Sequence, residues 1–232
     1  MRIDKYISGC GYASRSEVKD LVKRGIVVAD GRVCKKCDEQ VREDSVVEVD
    51  GKTLIYRKYV YLMLNKPKGY VSAVSDKRYP PVTDFVPAEY KHFDVYPVGR
   101  LDIDTEGLLI LTNDGQFAHS VMSPGKNVKK RYFACVDLPM AEEDIETFAA
   151  GMEFKEFTAR PALLEITDNP HEVYIEIAEG KFHQVKRMCA RCGKSVTYLK
   201  RVSVGGVKLD EKLAPGEMRE LSKEEVETLV NY

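Results

Sequence analysis

The sequence predicts an α+β protein in two parts, a small helix–helix–hairpin module over residues 1–56 and a larger α+β domain over residues 60–232. Two capped, amphipathic helical patterns open the chain, and short β-branched runs around turn residues follow them. Further along, short apolar strands are interspersed with capped helices. The stretch GKTLIYRKYV, residues 51–60, is charged and lacks a strong period, so it is predicted to be a linker.

The N-terminal module has a clear boundary signal for each of its elements. Ile3 and Ile7 lie four residues apart, which suits a short amphipathic helix. Ser14-Arg15-Ser16-Glu17 is a capping box, in which serine and glutamate side chains pair with the first backbone N–H groups of the next helix. Gly25 is predicted to end that helix, and Asp30-Gly31 predicts a tight hairpin turn.

In the larger domain, strands are short and apolar, and helices carry their own start or stop signals. The predicted strands are YLMLN (61–65), GLLILT (107–112), ALLEIT (162–167) and EVYIEIA (172–178). The predicted helices are QFAHSVM (116–122), AEEDIETFAA (141–150) ending at Gly151, a segment from about His183 to Cys192 ending at Gly193, and a C-terminal helix opened by a Ser222–Glu225 capping box.

Charge is segregated along a chain whose formal net charge is only −1. Residues 181–201 hold seven Lys or Arg and no acidic residue, and residues 125–133 hold four and none. Segregated cations of this kind favour a phosphate-binding face over a merely solvated surface. No apolar run is long enough to cross a bilayer, and the N-terminus is too polar for a secretory signal, so we expect a cytoplasmic protein without a membrane partner.

The six cysteines include two CxxC pairs, which raise the question of a zinc site. Val185, Met188, Cys189 and Cys192 have the spacing of one buried helical stripe. A structural zinc knuckle needs a tight turn, which a helix does not provide, and the other pair, Cys34 and Cys37, belongs to the N-terminal module. We therefore predict no metal site and free thiols of a cytoplasmic protein.

The stretch GRLDIDTEGLLILTNDG, residues 99–115, contains the strongest candidate for chemistry. In an extended strand, Asp102 and Asp104 would share one face, opposite Leu101 and Ile103. An exposed pair of that kind is usually only solvated, so periodicity alone does not identify a catalytic residue. Asp114 sits in an Asn-Asp-Gly turn, where a short acceptor side chain satisfies the backbone.

This stretch resembles the GRLD-x-x-T-x-GLL-x-LTNDG motif of pseudouridine synthases of the ribosomal small-subunit type and their large-subunit relatives. Further segments resemble the same family in the same order: LNKPKGYVSA, SPGKNVKKRYFACV, EGKFHQVKRM and YLKRVSVGGVKL. The N-terminal pattern RIDKYI…SRSEVKDLVKRGIVVADGRV resembles the S4 RNA-binding domain. The resemblance covers nearly the whole chain and implies an S4 domain followed by a mixed, mainly antiparallel sheet flanked by helices.

The resemblance also implies an activity and its residues. The enzymes break the bond between C1′ and uracil N1, turn the base and rejoin it through C5, without a cofactor or metal. Asp102 matches the essential aspartate, Lys186 the cation facing it, Tyr132 the tyrosine that stacks on the target base and is a candidate general base, and Leu199 the apolar residue packed under that base. The residues implied to contact RNA are Arg15, Lys19, Arg24, Arg100, Lys130, His183, Gln184 and Arg187; for His183 and Gln184, ordering of the loop is the alternative.

Several alternatives remain at this stage. The C-terminal tail KLAPGEMRELSKEE favours small-subunit (16S) rRNA, and a large-subunit (23S) rRNA target is the alternative. A non-catalytic ribosome-assembly factor would have no reason to keep Asp102, Tyr132 and Lys186 together. A glycosidase-like hydrolase would need two paired carboxylates, and only Asp102 has a motif context. The expected partner is rRNA, free or in a partly assembled subunit, and the expected oligomeric state is a monomer.

Overall fold

The computed structural model describes residues 1–123 and 125–232 and confirms the α+β class. Its contacts divide the chain into two compact units. The first comprises residues 1–60 and 87–95, and the second comprises residues 61–86 and 96–232. The predicted first domain, 1–56, lacks the segment 87–95, which the prediction placed within 60–232. In the structure this segment adds a short 3₁₀ helix, Ala88–Phe93, to the first unit.

The first unit has two helices over a small antiparallel sheet. Helix α1 spans Ile3–Gly9 and α2 spans Arg15–Lys23, and both halves of the Ser14–Glu17 capping box are formed. The strands β1 Val27–Ala29, β2 Arg32–Val33, β3 Val47–Val49 and β4 Lys52–Leu54 lie in the order β2-β1-β3-β4. Asp30 and Gly31 both have positive φ, as a two-residue hairpin turn requires.

Strand β4 corrects the linker prediction. It pairs with β3 through a second tight turn at Asp50-Gly51, where both residues again have positive φ. Leu54 is buried in the core of this unit, which also contains Ile3, Val18 and Cys34. The linker prediction is wrong here because, of the three strand residues, only Leu54 is apolar, which is too weak a signal for a strand.

The second unit is built on a large sheet with helices on both faces. Its strands are β5 Tyr61–Lys66, β6 Tyr96–Val98, β7 Glu106–Thr112, β8 Lys130–Val136, β9 Met152–Glu153, β10 Thr158–Ala159, β11 Leu163–Ile166, β12 Glu172–Ile177, β13 Val196–Val204, β14 Val207–Lys208 and β15 Met218–Glu220. Its α-helices are α3 Gly115–Met122, α4 Glu142–Ala150, α5 Gln184–Arg191 and α6 Lys223–Val230. The predicted strands and helices are therefore confirmed, with shifts of a few residues at their ends.

Nine strands form the main sheet, in the order β11-β12-β8-β13-β7-β5-β15, with β14 beside β13 and β6 beside β7. The pair β7–β13 is parallel, whereas the other pairings recorded in the described part of the sheet are antiparallel. This confirms a mixed, mainly antiparallel sheet. The parallel pair joins the motif-bearing β7 to β13 and so brings Leu199 toward the GRLD loop.

The two faces of the sheet have different roles. On one face, Met63, Leu108 and Ile110 pack with Phe117 of α3 and Leu229 of α6 in a continuous hydrophobic core. The opposite face carries the alternating inward residues of β8 and β13, among them Tyr132 and Leu199. Within residues 1–123 and 125–232, no helix combines the length and the apolar character needed to cross a membrane.

Helix α5 buries the predicted stripe. Val185, Met188 and Cys189 are at most 4% exposed, whereas Cys192 is only half-buried and caps the C-terminal end of the helix. Burial raises the pKa of the Cys189 thiol to about 12, as expected for a cysteine inside a packed core. Among the residues that the structure describes, no three His, Cys, Asp or Glu side chains are grouped to hold a metal ion.

Candidate active site

Asp102 lies in a turn between β6 and β7, and not in the extended strand that the alternation of LDID would allow. The Thr105 amide donates to the Asp102 carbonyl at 3.1 Å and closes the turn. On the N-terminal side, Gly99 has φ +79° and redirects the chain after β6. Asp102 and Asp104 nevertheless both lie close to the ammonium group of Lys186.

Lys66, at the end of β5, holds this turn from below. Its ammonium group donates to the carbonyls of Pro67 at 3.1 Å, Asp102 at 3.1 Å and Thr105 at 2.8 Å. The residue is fully buried. Three carbonyls match the three donors of an ammonium group, so Lys66 fixes the backbone that presents Asp102.

Burial lowers the pKa of Lys66 to about 8, against the opposing attraction of Asp104, Asp102 and Glu106. The unfolded chain keeps this proton up to about pH 10.5. Between these two pH values the unfolded state binds more protons than the folded state. The contribution of Lys66 to the free energy of unfolding therefore rises as the pH increases from about 8 toward 10.5.

The variant Lys66→Met tests this arrangement. At neutral pH we expect it to lose about 1–3 kcal/mol, because methionine fills the space but leaves three carbonyls without donors. The difference in unfolding free energy between wild type and variant should grow by about 1–2 kcal/mol from pH 7.5 to pH 9.5, measured by urea denaturation. Lys200→Met, at a half-buried lysine facing the other side of β13, is the control. A difference that stays constant with pH would contradict the burial-shifted titration of Lys66.

The Asp102 carboxylate faces a narrow pocket whose free volume is about 70 Å³. Tyr132 from β8 and Leu199 from β13, both under 10% exposed, line it from the sheet. Asp102 Oδ1 lies 3.5 Å from His183 Nε2, and Oδ2 lies 3.6 Å from Lys186 Nζ. The structure thus brings Asp102, Tyr132, Lys186 and Leu199 together around one cavity.

Lys186 is shared between two carboxylates. Its ammonium group contacts Asp104 Oδ1 at 2.5 Å, more closely than it contacts Asp102. Burial raises the pKa of Asp104, but the hydrogen bond and charge of Lys186 outweigh it and lower the pKa overall. Asp104 falls at a variable position of the GRLD-x-x-T motif, and the sequence predicts a merely solvated side chain there. The side chain is indeed 64% exposed, and it also orients the cation beside Asp102.

The loop before α5 is held in place by buried polar contacts. Gln184 Oε1 accepts from the Lys181 amide at 2.9 Å, and Gln184 Nε2 donates to Glu179 Oε1 at 2.9 Å. Glu179 also accepts from the Arg160 amide. Gln184 is only 3% exposed and uses both its amide atoms within the loop, although it also lines the Asp102 pocket. Of its two predicted roles, the structure supports loop ordering.

Lys130 is also buried, and not at the surface as a predicted RNA contact would be. It is 5% exposed, and its ammonium group donates to the Val128 carbonyl at 2.8 Å. Burial, assisted by the like charge of Arg201, lowers the pKa of Lys130 to about 8. The alternation of β8 is the physical reason: Lys130 and Tyr132 point to the same buried face of the sheet.

The other predicted RNA contacts lie at the surface in two places. Arg15, Lys19 and Arg24 are exposed on or just after α2, away from its buried Val18 and Val22. In the second unit, exposed Arg100 lines the pocket beside Asp102, as does His183, which adopts φ +51° before the first turn of α5. Arg187 lies against the rings of Phe154 and Phe157, outside that pocket.

The sequence interpretation missed three residues of this site. They are Lys66, which holds the turn, Lys181, which lines the pocket, and Thr105. The Thr105 hydroxyl is the one buried side-chain polar atom without a protein partner among the described residues, and Thr105 also lines the pocket. All three fall inside quoted motif segments, so motif membership was the available signal. Their geometry depends on the loop fold, which periodicity does not show.

Comparisons with known proteins agree with this geometry. Residues 60–191 match the RNA pseudouridylate synthase family and residues 1–47 match the S4 domain. The chain is 45% identical to the RNA pseudouridine synthase YtzG of Bacillus subtilis, covering 99% of this chain and 98% of that protein. It is 38% identical to ribosomal small subunit pseudouridine synthase A of Escherichia coli K12, covering 99% and 100% of the two chains.

A solved pseudouridylate synthase structure shares the fold over the same extent. Its TM-score is 0.71 at 34% identity, with 99% of this chain and 100% of that chain covered. The matched family segment contains the Asp102 turn, Tyr132 and Lys186, the residues that the structure places around one pocket. This chain belongs to the RNA pseudouridylate synthase family, which isomerises uridine to pseudouridine in RNA, and it carries an S4 domain at its N-terminal end.

Proposed function

We propose that the protein converts a specific uridine of small-subunit rRNA to pseudouridine. The observation that supports this most directly is the arrangement of Asp102, Lys186 and His183 against Tyr132 and Leu199 in one narrow pocket. The small-subunit target is supported by the full-length similarity to an enzyme named for that subunit. Large-subunit rRNA is the alternative target, since the pocket residues belong to the wider family.

The reaction needs one carboxylate at the sugar and a site that holds a detached base. In the proposed mechanism, Asp102 either attacks C1′ or removes a sugar proton, and in both cases the C1′–N1 bond breaks. Tyr132 and Leu199 provide a flat, apolar wall on which the uracil turns. The bond from C1′ to C5 then forms as the Asp102 carboxylate leaves C1′ or returns the sugar proton, C5 loses its proton, and N1 gains one, so the atoms balance without a redox step.

Lys186, whose ammonium group lies 3.6 Å from Asp102 Oδ2, orients the carboxylate in this mechanism. Lys186→Met should lower kcat on the order of 10²-fold, the usual effect of removing one electrostatic partner from a reacting group. Lys186→Arg keeps the charge and should retain most of the activity. Tritium release from [5-³H]uridine-labelled rRNA measures both rates. Equal losses in the two variants would show that the shape of lysine, and not its charge, is what matters.

The target assignment is tested with wild-type protein on four labelled substrates: small-subunit and large-subunit rRNA, each free and bound to ribosomal proteins. Forming the C5 bond expels tritium from [5-³H]uridine. We expect release from small-subunit rRNA only, and the preferred form distinguishes free RNA from an assembly intermediate. Release confined to large-subunit rRNA would replace the proposed target with the alternative.

We also propose that the protein acts as a monomer in the cytoplasm. The location follows from the proposed rRNA substrate, and the six cysteines, all free thiols, are consistent with it. Light scattering of the purified protein, alone and with RNA, tests the oligomeric state. A dimer at the concentrations used for catalysis would contradict the monomer.

A further inference from the structure

A second groove opens beside the catalytic pocket, and Lys181 lines both. Its other lining residues are Glu156, Phe157, Phe182 and Arg187, and its volume is about 540 Å³. The catalytic pocket, at about 70 Å³, admits one base at most. The nucleotides on either side of an extruded uridine must therefore lie outside it, and this groove is the adjoining space.

Phe182 lines the groove and is unusually exposed to solvent for a phenylalanine. The residue is 73% exposed, more than any other phenylalanine or tyrosine described. One face of the ring stacks on His183, with centroids 3.8 Å apart and planes 19° apart. The His183 ring in turn lies 3.5 Å from the Asp102 carboxylate. A short ring stack thus leads from the reacting carboxylate to an open aromatic face.

The groove also combines a second aromatic ring, Phe157, with the Arg187 cation. Phe154 and Phe157 lie with ring centroids 5.0 Å apart, and the Arg187 guanidinium lies 4.8 Å and 4.7 Å from their centroids. Arg187 is ion-paired with Glu156, whose carboxylate is 63% exposed. A phosphate entering the groove would compete with this exposed carboxylate for Arg187. Lys181, exposed between the two cavities, provides a second cation.

Single exposed apolar residues are common and need no explanation. Here, however, the exposed ring lines a groove that shares Lys181 with the catalytic pocket, is pre-stacked on His183 of that pocket, and lines the groove together with two cations, Lys181 and Arg187. Aromatic faces next to Lys and Arg are the means by which proteins hold single-stranded nucleic acid, since every base has a flat face and every nucleotide a phosphate. Because of these shared features, we favour a nucleobase as the occupant over a peptide or a small metabolite.

We propose that Phe182, Phe157, Lys181 and Arg187 form a nucleotide subsite next to the catalytic pocket, in which Phe182 stacks on the base adjacent to the target uridine. This inference rests on the proposed function for its RNA substrate. The stacked neighbour would keep the RNA backbone open at the extruded uridine, and Lys181 would bind the phosphate between the two nucleotides. Phe182 is therefore a binding and positioning residue and takes no part in bond rearrangement.

The chain contains no tryptophan, so Phe182→Trp introduces a single fluorescent indole into the groove. Saturating small-subunit rRNA should quench this fluorescence, because a stacked base quenches indole emission. Leu138→Trp is the matched control: Leu138 is 54% exposed in the same unit and lines neither cavity. Its emission should stay unchanged. If gel shift shows Phe182→Trp saturated with RNA while its emission is unaltered, the subsite is refuted.

Kinetics provide the second readout. Phe182→Ala should raise KM roughly 5- to 150-fold, the usual range for losing one stacked base, with kcat changed only a few-fold. Phe182→Tyr should restore KM, and Leu138→Ala should resemble wild type. An unchanged KM in Phe182→Ala would overturn the proposal. A fall in kcat without a rise in KM would also overturn it, because Phe182 would then act by holding the His183 ring and not by stacking on a base.

The proposed target and the subsite fail in different ways. If the wild type releases tritium only from large-subunit rRNA, the small-subunit assignment is wrong. The fluorescence and KM measurements are then made with the large-subunit substrate, and they decide the subsite as before. If rRNA turnover is normal but Phe182→Trp shows no quenching, only the subsite is wrong.

Discussion

Asp102→Asn should abolish pseudouridine formation, with kcat falling on the order of 10⁴-fold or more. Asparagine has the same shape but is a poor nucleophile and a poor base, so both paths open to the carboxylate are lost. Folding should be nearly unaffected, because the Asp102 side chain is 29% exposed and its contacts to His183 and Lys186 are long, at 3.5 and 3.6 Å. RNA binding should persist, since the substitution removes a negative charge from the pocket.

Asp104→Asn is the matched control for this experiment. It makes the same chemical change two residues away and touches the same lysine. Its activity should stay within about tenfold of wild type, because only the orientation of Lys186 is disturbed. Tritium release gives the rate, and urea denaturation confirms that both variants are folded. More than about 1% residual activity in Asp102→Asn would remove Asp102 from its proposed role.

Gly107→Ala should destabilise the protein more than any other single substitution considered. Gly107 has φ +101°, and a Cβ atom there would lie 2.2 Å from the Arg201 carbonyl oxygen and 2.8 Å from the Arg201 amide nitrogen. Both are backbone atoms of the parallel partner strand β13 and cannot rotate away. Strain and overpacking together should cost about 4 kcal/mol or more, a large part of a typical domain's stability.

Gly115→Ala provides the comparison. Gly115 starts α3, has no positive φ, and the nearest atom to an added Cβ is the Tyr96 hydroxyl at an ordinary 3.5 Å. Alanine should be neutral or stabilise by up to about 1 kcal/mol at this position, because it favours the helix. Denaturant unfolding of both variants measures the contrast. A Gly107→Ala protein as stable as Gly115→Ala would show that β7 and β13 can separate freely.

Local signals predicted elements well where the cause of the structure is itself local. The Ser14–Glu17 and Ser222–Glu225 capping boxes form as predicted, because a side chain and a backbone amide three residues apart meet in any helix start. The buried alternation of Val173, Ile175 and Ile177 likewise follows from strand geometry. Strand β4 was missed because its few residues carry little apolar signal, and pairing with β3 decides its structure.

For the functional residues too, the sequence predicted some features and the folded structure was needed for others. The motif resemblance named Asp102, Tyr132, Lys186 and Leu199, and the structure places all four around one pocket. The same resemblance offered Lys130 and Gln184 as RNA contacts, yet both side chains are buried. A residue within a motif can serve folding or contact with a substrate. Burial distinguishes these two roles, and burial is known only from the folded sheet.

By itself, the sequence predicted most of the elements and the α+β class, and the motif resemblance named Asp102 as the candidate reacting carboxylate, because caps, periodicity and ordered motifs are properties of short segments. Only the tertiary structure decided that Lys66 holds the Asp102 turn through three carbonyls, that Lys186 lies between Asp102 and Asp104, and that Phe182 stands open beside the pocket. Lys66 is 36 residues from Asp102 and Lys186 is 82 residues from Asp104. Contacts across such separations depend on strand order and register, which no local pattern encodes.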